Sequence, residues 1–399
     1  MKTNVAVFFG GRSTEHEISV ISAIQAMNAI DVSMYNVIPV YITKKGQWFT
    51  GDALMNLDLY RHPETISNQC TEVYMKGIYG ERTLYRKQPV GWIKKNDKFA
   101  YIDVAFPVLH GSNGEDGSFQ GFLSAIGIPF VGCDVLSSAI GMDKIIMKMI
   151  LESCHIPIVP FIWFTDKEWY AGEDSKINLI EMQLRYPVIV KPANLGSSVG
   201  IGRADNVEQL KLRVAEAAKY SSRIIVERMI ENMKEINCSV LGDCDNCETS
   251  VLEEPIKTGE LLSYEDKYLG GTKGKQGMAA SSKRIPAQLD EETTVKIKHL
   301  AAETFRVLSC NGVSRVDVMI DMENDNVYVN EINTIPGSLS FYLWEASGVN
   351  FTQLTHRLIS LALKRNREIN SKITSYQQNI FNMNTASSMK NGIKNGKLK

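Results

Sequence analysis

The apolar residues of this chain fall first into short unbroken runs. Val5-Ala6-Val7-Phe8-Phe9 is continuous and closes on Gly10-Gly11. A strand buried on both faces of a parallel sheet reads this way. Over residues 19–30 the apolar positions recur at helical spacing, and 37–41 and 104–109 are again strand-like. Strand, helix and strand in alternation predict an α/β unit on a parallel sheet. Residues 45–100 break this pattern. They are rich in aromatic and basic residues with weak periodicity, and they read as an insertion into the unit.

Past residue 133 the order changes. A helix is expected over 145–152 and strands over 187–190 and 223–227. Further strands are expected over 235–241, 249–254, 314–320 and 326–332, then a helix over 351–364. This strand-rich order predicts a largely antiparallel sheet with flanking helices. Boundaries near 133 and 229 give units 1–132, 133–228 and 229–366. Residues 367–399 carry no acidic residue beyond Glu368 and are rich in Asn, Ser, Lys and Gly, which predicts a disordered tail.

The length of 399 residues calls for more than one domain. A net charge of -1 gives no global basic field, so neither nucleic acid nor membrane is an expected partner. Seven scattered cysteines fit reduced thiols in the cytosol. The first apolar run is too short for a signal-peptide core, and no stretch is long enough to span a bilayer. Cytoplasmic localisation is expected. Cys244-Asp245-Asn246-Cys247 has no second pair at metal-site spacing and reads as a hairpin turn.

Four segments carry candidate chemistry. Gly10 to Val20 reads Gly-Gly-Arg-Ser-Thr-Glu-His-Glu-Ile-Ser-Val. Its glycines turn the chain at the carboxyl edge of the sheet, where ligands bind in open α/β folds. Thr14 and Glu17 have capping-box spacing, so Glu17 reads either as a cap or as a ligand. The spacing does not match a dinucleotide fingerprint. The second segment, His110-Gly111-Ser112-Asn113-Gly114-Glu115-Asp116-Gly117, also follows a strand. His110 is a candidate for a substrate carboxylate, and Glu115 and Asp116 are candidate helix caps.

The third segment places Lys191 at a strand end before a loop of Gly196, Ser197, Ser198, Val199 and Gly200. Such a loop is either a hairpin turn or a phosphate cradle, with lysine adding charge. In the fourth, Arg315 and Asp317 share one strand face, and so do Glu331 and Asn333. The set is either a structural ion pair or an oxygen cage for Mg²⁺ beside phosphates, with Arg315 placed to offset developing charge. Thr334-Ile335-Pro336-Gly337 turns the chain next to it.

Taken in this order, 10–20, 109–117, Met142-Asp143-Lys144, 191–200, Tyr264 to Tyr268 and 315–337 resemble the ATP-grasp ligases, and within them the D-alanine–D-alanine ligase family. The resemblance implies α/β and α+β architecture, with three domains and a Rossmann-like N-terminal one. It implies that Lys144 and Lys191 contact ATP phosphates, Ser197 and Ser198 cover them, and Lys267 reaches the γ-phosphate. Glu227 would lie by adenine, and Glu235 would take the ribose. Glu17, Ser197 and Tyr268 would surround the first substrate, with Glu17 on its ammonium. Asp317, Glu331 and Asn333 would hold two Mg²⁺, with Mn²⁺ able to substitute. Arg315 and the Gly337 N–H would stabilise the tetrahedral intermediate. Ser340, Tyr342 and Leu343 would line the second subsite, where hydroxyls read a carboxylate.

The implied reaction joins two D-alanines through an acyl phosphate, for peptidoglycan precursors. The open alternatives are a related ligase taking D-lactate, D-serine or another amino acid second, and a nucleotide-binding regulator without turnover. The resemblance also implies a homodimer.

Overall fold

The computed structural model describes residues 2–90, 96–196, 199–256, 283–373, 393–394 and 397–398. Residues Met1–Leu363 form one compact unit and Lys364–Lys399 a second.

The first sheet begins with β1 (Thr3–Gly10), which leads into helix α1 (His16–Ala29) and β2 (Tyr35–Ile42). β1 pairs in parallel with β2 on one side and with β7 (Val104–Val108) on the other. Every residue from Val5 to Gly10 is buried, as the unbroken apolar run required. The insertion expected over 45–100 belongs to this sheet. β3 (Trp48–Thr50), β4 (Thr71–Met75), β5 (Thr83–Val90) and β6 (Asn96–Tyr101) extend it outward from β2 as an antiparallel meander, in the order β6-β5-β4-β3-β2-β1-β7. A short helix, α2 (Ile66–Gln69), precedes β4. One face of the sheet packs Val5, Val7 and Phe9 with α1 and the final helix, and the other packs Phe8 with helix α3 (Ser118–Ala125).

Helices α4 (Val135–Met142) and α5 (Lys144–Ser153) lead to the second sheet. It contains β8 (Phe161–Thr165), β9 (Val188–Pro192), β10 (Gly202–Ala204) and β11 (Arg223–Arg228), all antiparallel, in the order β10-β9-β11-β8. Helices α6 (Asp166–Ala171), α7 (Glu173–Gln183) and α8 (Val207–Ala217) cover one face through Trp169, Ile180 and Leu210. The other face is left for Lys191 and Glu227.

The third sheet runs β14-β13-β12-β15-β16. Its strands are β12 (Met233–Gly242), β13 (Cys247–Pro255), β14 (Lys283–Arg284), β15 (Gly312–Asp321) and β16 (Asn326–Asn333), all antiparallel. The Cys244–Cys247 segment is a hairpin turn closed by Asp243, whose carboxylate accepts from the Asp245 and Asn246 N–H groups. All seven cysteines are free thiols. Helix α9 (Glu291–Val307) and α5 pack Ile297, Leu300, Phe305, Met147 and Leu151 on the apolar face. Each such buried side chain contributes about 1.5–3 kcal/mol. The chain closes through α10 (Phe341–Ala346) and α11 (Phe351–Asn370). The last helix runs past the expected start of the tail at 367. Ile393–Lys394 and Lys397–Leu398 pair as two short strands. Beyond Ile373 the rest of the tail lies outside the described residues.

Candidate active site

β1 delivers the chain to Gly10 and Gly11, whose φ values are +89° and +87°. A Cβ at Gly10 would stand 2.4 Å from the Ile42 carbonyl oxygen, so only glycine makes this turn. Helix α1 then starts at His16 with no side-chain cap, so Thr14 and Glu17 form no capping box. Glu17 lies on the exposed stripe of α1. Its side chain is 61% exposed and pairs with Lys44 at 2.5 Å. Glu15, two residues earlier, is buried. Its carboxylate lies 2.8 Å from where a Cβ would stand on Gly111 and 3.6 Å from one on Gly196. Glu15 thus meets both glycine turns, while Glu17 is not brought to them.

His110 is also placed differently from the sequence expectation. It is buried. Its Nδ1–H donates to the Ile335 carbonyl at 2.8 Å, so Nε2 is the acceptor and takes the Ser22 hydroxyl at 3.0 Å. Ser22 Oγ in turn accepts from the Ser338 N–H at 2.9 Å. Burial holds the His110 pKa down at about 4. A neutral ring with both nitrogens engaged does not hold a substrate carboxylate. Glu115 does not cap α3. It accepts from the N–H groups of Gly111 at 2.7 Å and Ile335 at 3.0 Å, and burial pushes its pKa up to about 8, helped by Glu15. Ser22, His110 and Glu115 therefore lock the 335–338 turn onto the first sheet.

Between the second and third sheets the groups are charged. Asp143 caps α5, accepting from Ile145 and Ile146, and pairs with Arg223. The cap sets Lys144 in the first turn, where Nζ donates to the Leu195 carbonyl at 2.9 Å and stands 3.5 Å from Glu331. Lys191 on β9 and Glu227 on β11 face the same side and pair at 2.7 Å. Lys148, fully buried on α5, takes the other Glu227 oxygen at 3.2 Å. Burial alone would raise the Glu227 pKa, but the two ammonium groups outweigh it and hold the carboxyl at about 2. Lys191 also reaches Asn330 at 3.5 Å. The β15–β16 register shifts between Asp317 and Val318, which leaves Asn330 as the extra residue of a bulge. Bulges re-aim side chains next to sites in this way.

Asp317 lies opposite Glu331 and Arg315 opposite Asn333, so the four meet on adjacent strands. Arg315 grips Asp317 through Nε at 2.6 Å and a terminal nitrogen at 2.8 Å, and Asn333 Nδ2 donates to Asp317 at 3.0 Å. Burial lifts the Asp317 pKa to about 6, with Glu331 and Glu235 adding to the rise and Arg315 opposing it. Among the described residues, no group of three or more His, Cys, Asp and Glu side chains could hold a metal. The donor set here is the two carboxylates of Asp317 and Glu331 and the amide of Asn333. Such hard oxygen donors suit Mg²⁺.

At the far end, a Cβ on Gly337 would meet nothing within 4 Å. Ser338, Leu339 and Ser340 follow with φ of 52°, 53° and 50°, a tight left-handed turn. Ser340 Oγ is buried without a hydrogen-bond partner, and Leu343 is fully buried. The Tyr342 hydroxyl donates to the Glu253 carboxylate at 2.9 Å, so its proton is not offered to a substrate carboxylate. Ser197, Ser198, Lys267 and Tyr268 lie outside the described residues. Sequence reasoning missed Glu15, Ser22, Lys148, Asn330 and Glu253. Of these, only Glu15 carried a local signal: it precedes α1, whereas Glu17 falls on the stripe that faces away from the sheet.

Two family descriptions match the chain: D-ala D-ala ligase N-terminus over residues 4–133 and D-ala D-ala ligase C-terminus over residues 150–360. The chain is 39% identical over 378 residues to the D-alanine–D-alanine ligase of Thermosipho melanesiensis, covering 95% of this chain and 98% of that one. It is 43% identical over 375 residues to that of Caldicellulosiruptor bescii, covering 92% and 97%. Among solved structures it is similar to the D-alanine-D-alanine ligase from Coxiella burnetii, with TM-score 0.76 and 28% identity over 93% of this chain and 96% of that one. The VanG D-Ala:D-Ser ligase from Enterococcus faecalis also gives TM-score 0.76, at 30% identity over 91% and 100%.

Proposed function

The chain belongs to the D-alanine–D-alanine ligase family, and on that footing we propose that it joins two D-alanines at the expense of ATP. The observation that carries the proposal is the cluster in which Lys144 of α5 and Lys191 of β9 stand against Glu331 and Asn330 of β16, with Asp317 opposite Glu331. Relatives at 39–43% identity carry the D-alanine name, whereas D-Ser belongs to a structural neighbour at 30%. That ranks D-alanine ahead of D-serine and D-lactate as the second substrate.

In this reading the carboxylate of the first D-alanine attacks the γ-phosphorus of ATP, and ADP leaves. The free-base amine of the second D-alanine attacks the carbonyl of the resulting acyl phosphate, the C–O bond to phosphate breaks, and the proton lost by the amine leaves with the phosphate. Lys144 and Lys191 set positive charge along the ATP phosphates. Lys148 holds the second oxygen of Glu227, so that the carboxylate stays fixed by the nucleotide. Glu235, whose charge is felt by Asp317 and Lys191, takes the ribose. Asp317, Glu331 and Asn333 would hold Mg²⁺ (or Mn²⁺), which when bound offsets charge on the transferring phosphoryl group.

Glu15 replaces Glu17 as the carboxylate for the first substrate's ammonium, because Glu15, and not Glu17, meets both glycine turns. Arg315, held in plane by Asp317, faces the developing oxyanion with the Gly337 N–H. Ser197, Ser198, Lys267 and Tyr268 complete the reading as the groups that cover the phosphates and the first substrate. Among the described residues no helix is long and apolar enough to cross a membrane. We infer that the enzyme works in the cytoplasm as a homodimer and supplies the dipeptide for peptidoglycan precursor synthesis.

The test is phosphate release from ATP. Release that requires both D-alanine and a divalent cation supports the reading. Nucleotide binding with no D-alanine-dependent release would replace it with a regulatory role.

A further inference from the structure

The third sheet presents four polar residues in one cross-strand row: Glu331 on β16, Asp317 on β15, Asn237 on β12 and Glu253 on β13. The proposed reaction uses the first two. Glu253, only 1% exposed, has no part in it. One of its oxygens accepts from the Tyr342 hydroxyl at 2.9 Å and from Asn237 Nδ2 at 3.2 Å. The other faces Lys283 Nζ at 2.9 Å. That ammonium also stands 4.1 Å from the centroid of the Tyr342 ring.

An ionised carboxylate only accepts hydrogen bonds. The phenol proton is therefore directed at Glu253, and the Tyr342 oxygen offers only lone pairs to anything else. Glu253, which holds this oxygen, stands opposite Asn237, and Asn237 stands opposite Asp317, so the phenol belongs to the row that leads to the reacting groups; the charges of Arg315 and Asp317 are felt there. A substrate carboxylate placed there would meet an acceptor. A substrate N–H would meet a partner.

We propose that Tyr342 receives an N–H of the second amino acid's amine, and that Glu253 is the positioning residue that keeps the phenol in this accepting orientation. The inference rests on the ligase reading above and adds to it the group that orients the nucleophile. A free-base amine has two N–H bonds and one lone pair. Fixing one N–H fixes where the lone pair points. As the C–N bond forms, the nitrogen gains positive charge and its N–H becomes a stronger donor. The contact with Tyr342 therefore strengthens toward the transition state. No proton is transferred to the phenol in this proposal. The ligand class is a primary amine, and the carboxylate of the same molecule is bound elsewhere.

Tyr342→Phe and Glu253→Gln, singly and together, test this. Tyr342→Phe keeps the ring under Lys283 and removes one oxygen. It should raise KM for the second D-alanine about tenfold, the scale of one lost hydrogen bond, and leave ATP and the first D-alanine unchanged. Glu253→Gln should raise the same KM, and the double variant should be no worse than Tyr342→Phe alone, because Glu253 acts through the phenol. Additive losses in the double variant would give Glu253 a purely structural role and overturn the proposal. If Glu253→Gln does not fold, Tyr342→Phe decides alone: an unchanged second-substrate KM overturns the inference. A native chain that releases no phosphate with D-alanine would instead overturn the ligase reading itself.

Discussion

Two regions of this molecule spend their buried polar groups differently. At the edge of the first sheet, Ser22, His110 and Glu115 are turned inward onto backbone: the Ile335 carbonyl, the Ser338 N–H, and the Gly111 and Ile335 N–H groups. Between the second and third sheets, Lys144, Lys148, Lys191, Glu227, Asp317 and Glu331 meet charge with charge. The first region fixes one turn, and losing a member leaves a backbone group unsatisfied. The second is held by opposing charges, which in the proposed reaction incoming phosphates and a cation would rearrange. Substitutions in the first should cost stability, and those in the second should cost turnover.

Glu331→Gln gives the largest expected effect. It removes a unit charge from the oxygen cage while keeping the volume, so turnover should vanish and the melting temperature should hold. Near-native turnover at saturating magnesium would remove Glu331 from the metal set.

Glu15→Gln and Glu17→Gln sharpen the comparison within a single turn. A hydrogen bond between charged groups contributes about 1.5–3 kcal/mol. Glu15→Gln should therefore lower kcat/KM for D-alanine by roughly ten- to a hundredfold. Glu17 is exposed and its pair with Lys44 contributes about 0–1 kcal/mol, so Glu17→Gln should leave kinetics and stability nearly unchanged. The reverse result would return the substrate ammonium to Glu17.

His110→Asn tests the neutral region with a smaller, pH-dependent effect. The folded pKa of about 4 lies below the ordinary 6.5, so the unfolded chain binds the proton first. His110 thus contributes stability that is complete above about pH 6.5 and is lost as pH falls toward about 4. The native melting temperature should fall across that window, and His110→Asn should flatten that part of the profile at a lower overall melting temperature. An unaltered slope would place the titration elsewhere.

These outcomes also mark what the chain spelled out in its own sequence. β1 was legible because a strand buried on both faces leaves no alternation to misread, and Gly10-Gly11 marks its end. Asp317, Glu331 and Asn333 were legible because alternation on β15 and β16 fixes their faces whatever the register. The meander of β3 to β6 was hidden because its strands are short and mixed in burial: Trp48–Thr50 has three residues, and Thr71–Met75 alternates weakly. Asn330 was hidden because a bulge is a property of register, not of one strand. Glu253 was hidden because its partner Tyr342 lies 89 residues away. His110 was misassigned because sequence shows a histidine after a strand but not the carbonyl that its ring will find.

The chain supplied with ATP, magnesium and an equimolar mixture of D-alanine, D-serine and D-lactate should yield D-alanyl-D-alanine as the main product by mass, with one ADP formed for each dipeptide. A main product of D-alanyl-D-serine or D-alanyl-D-lactate, or ADP formed without any ligated product, would contradict the account.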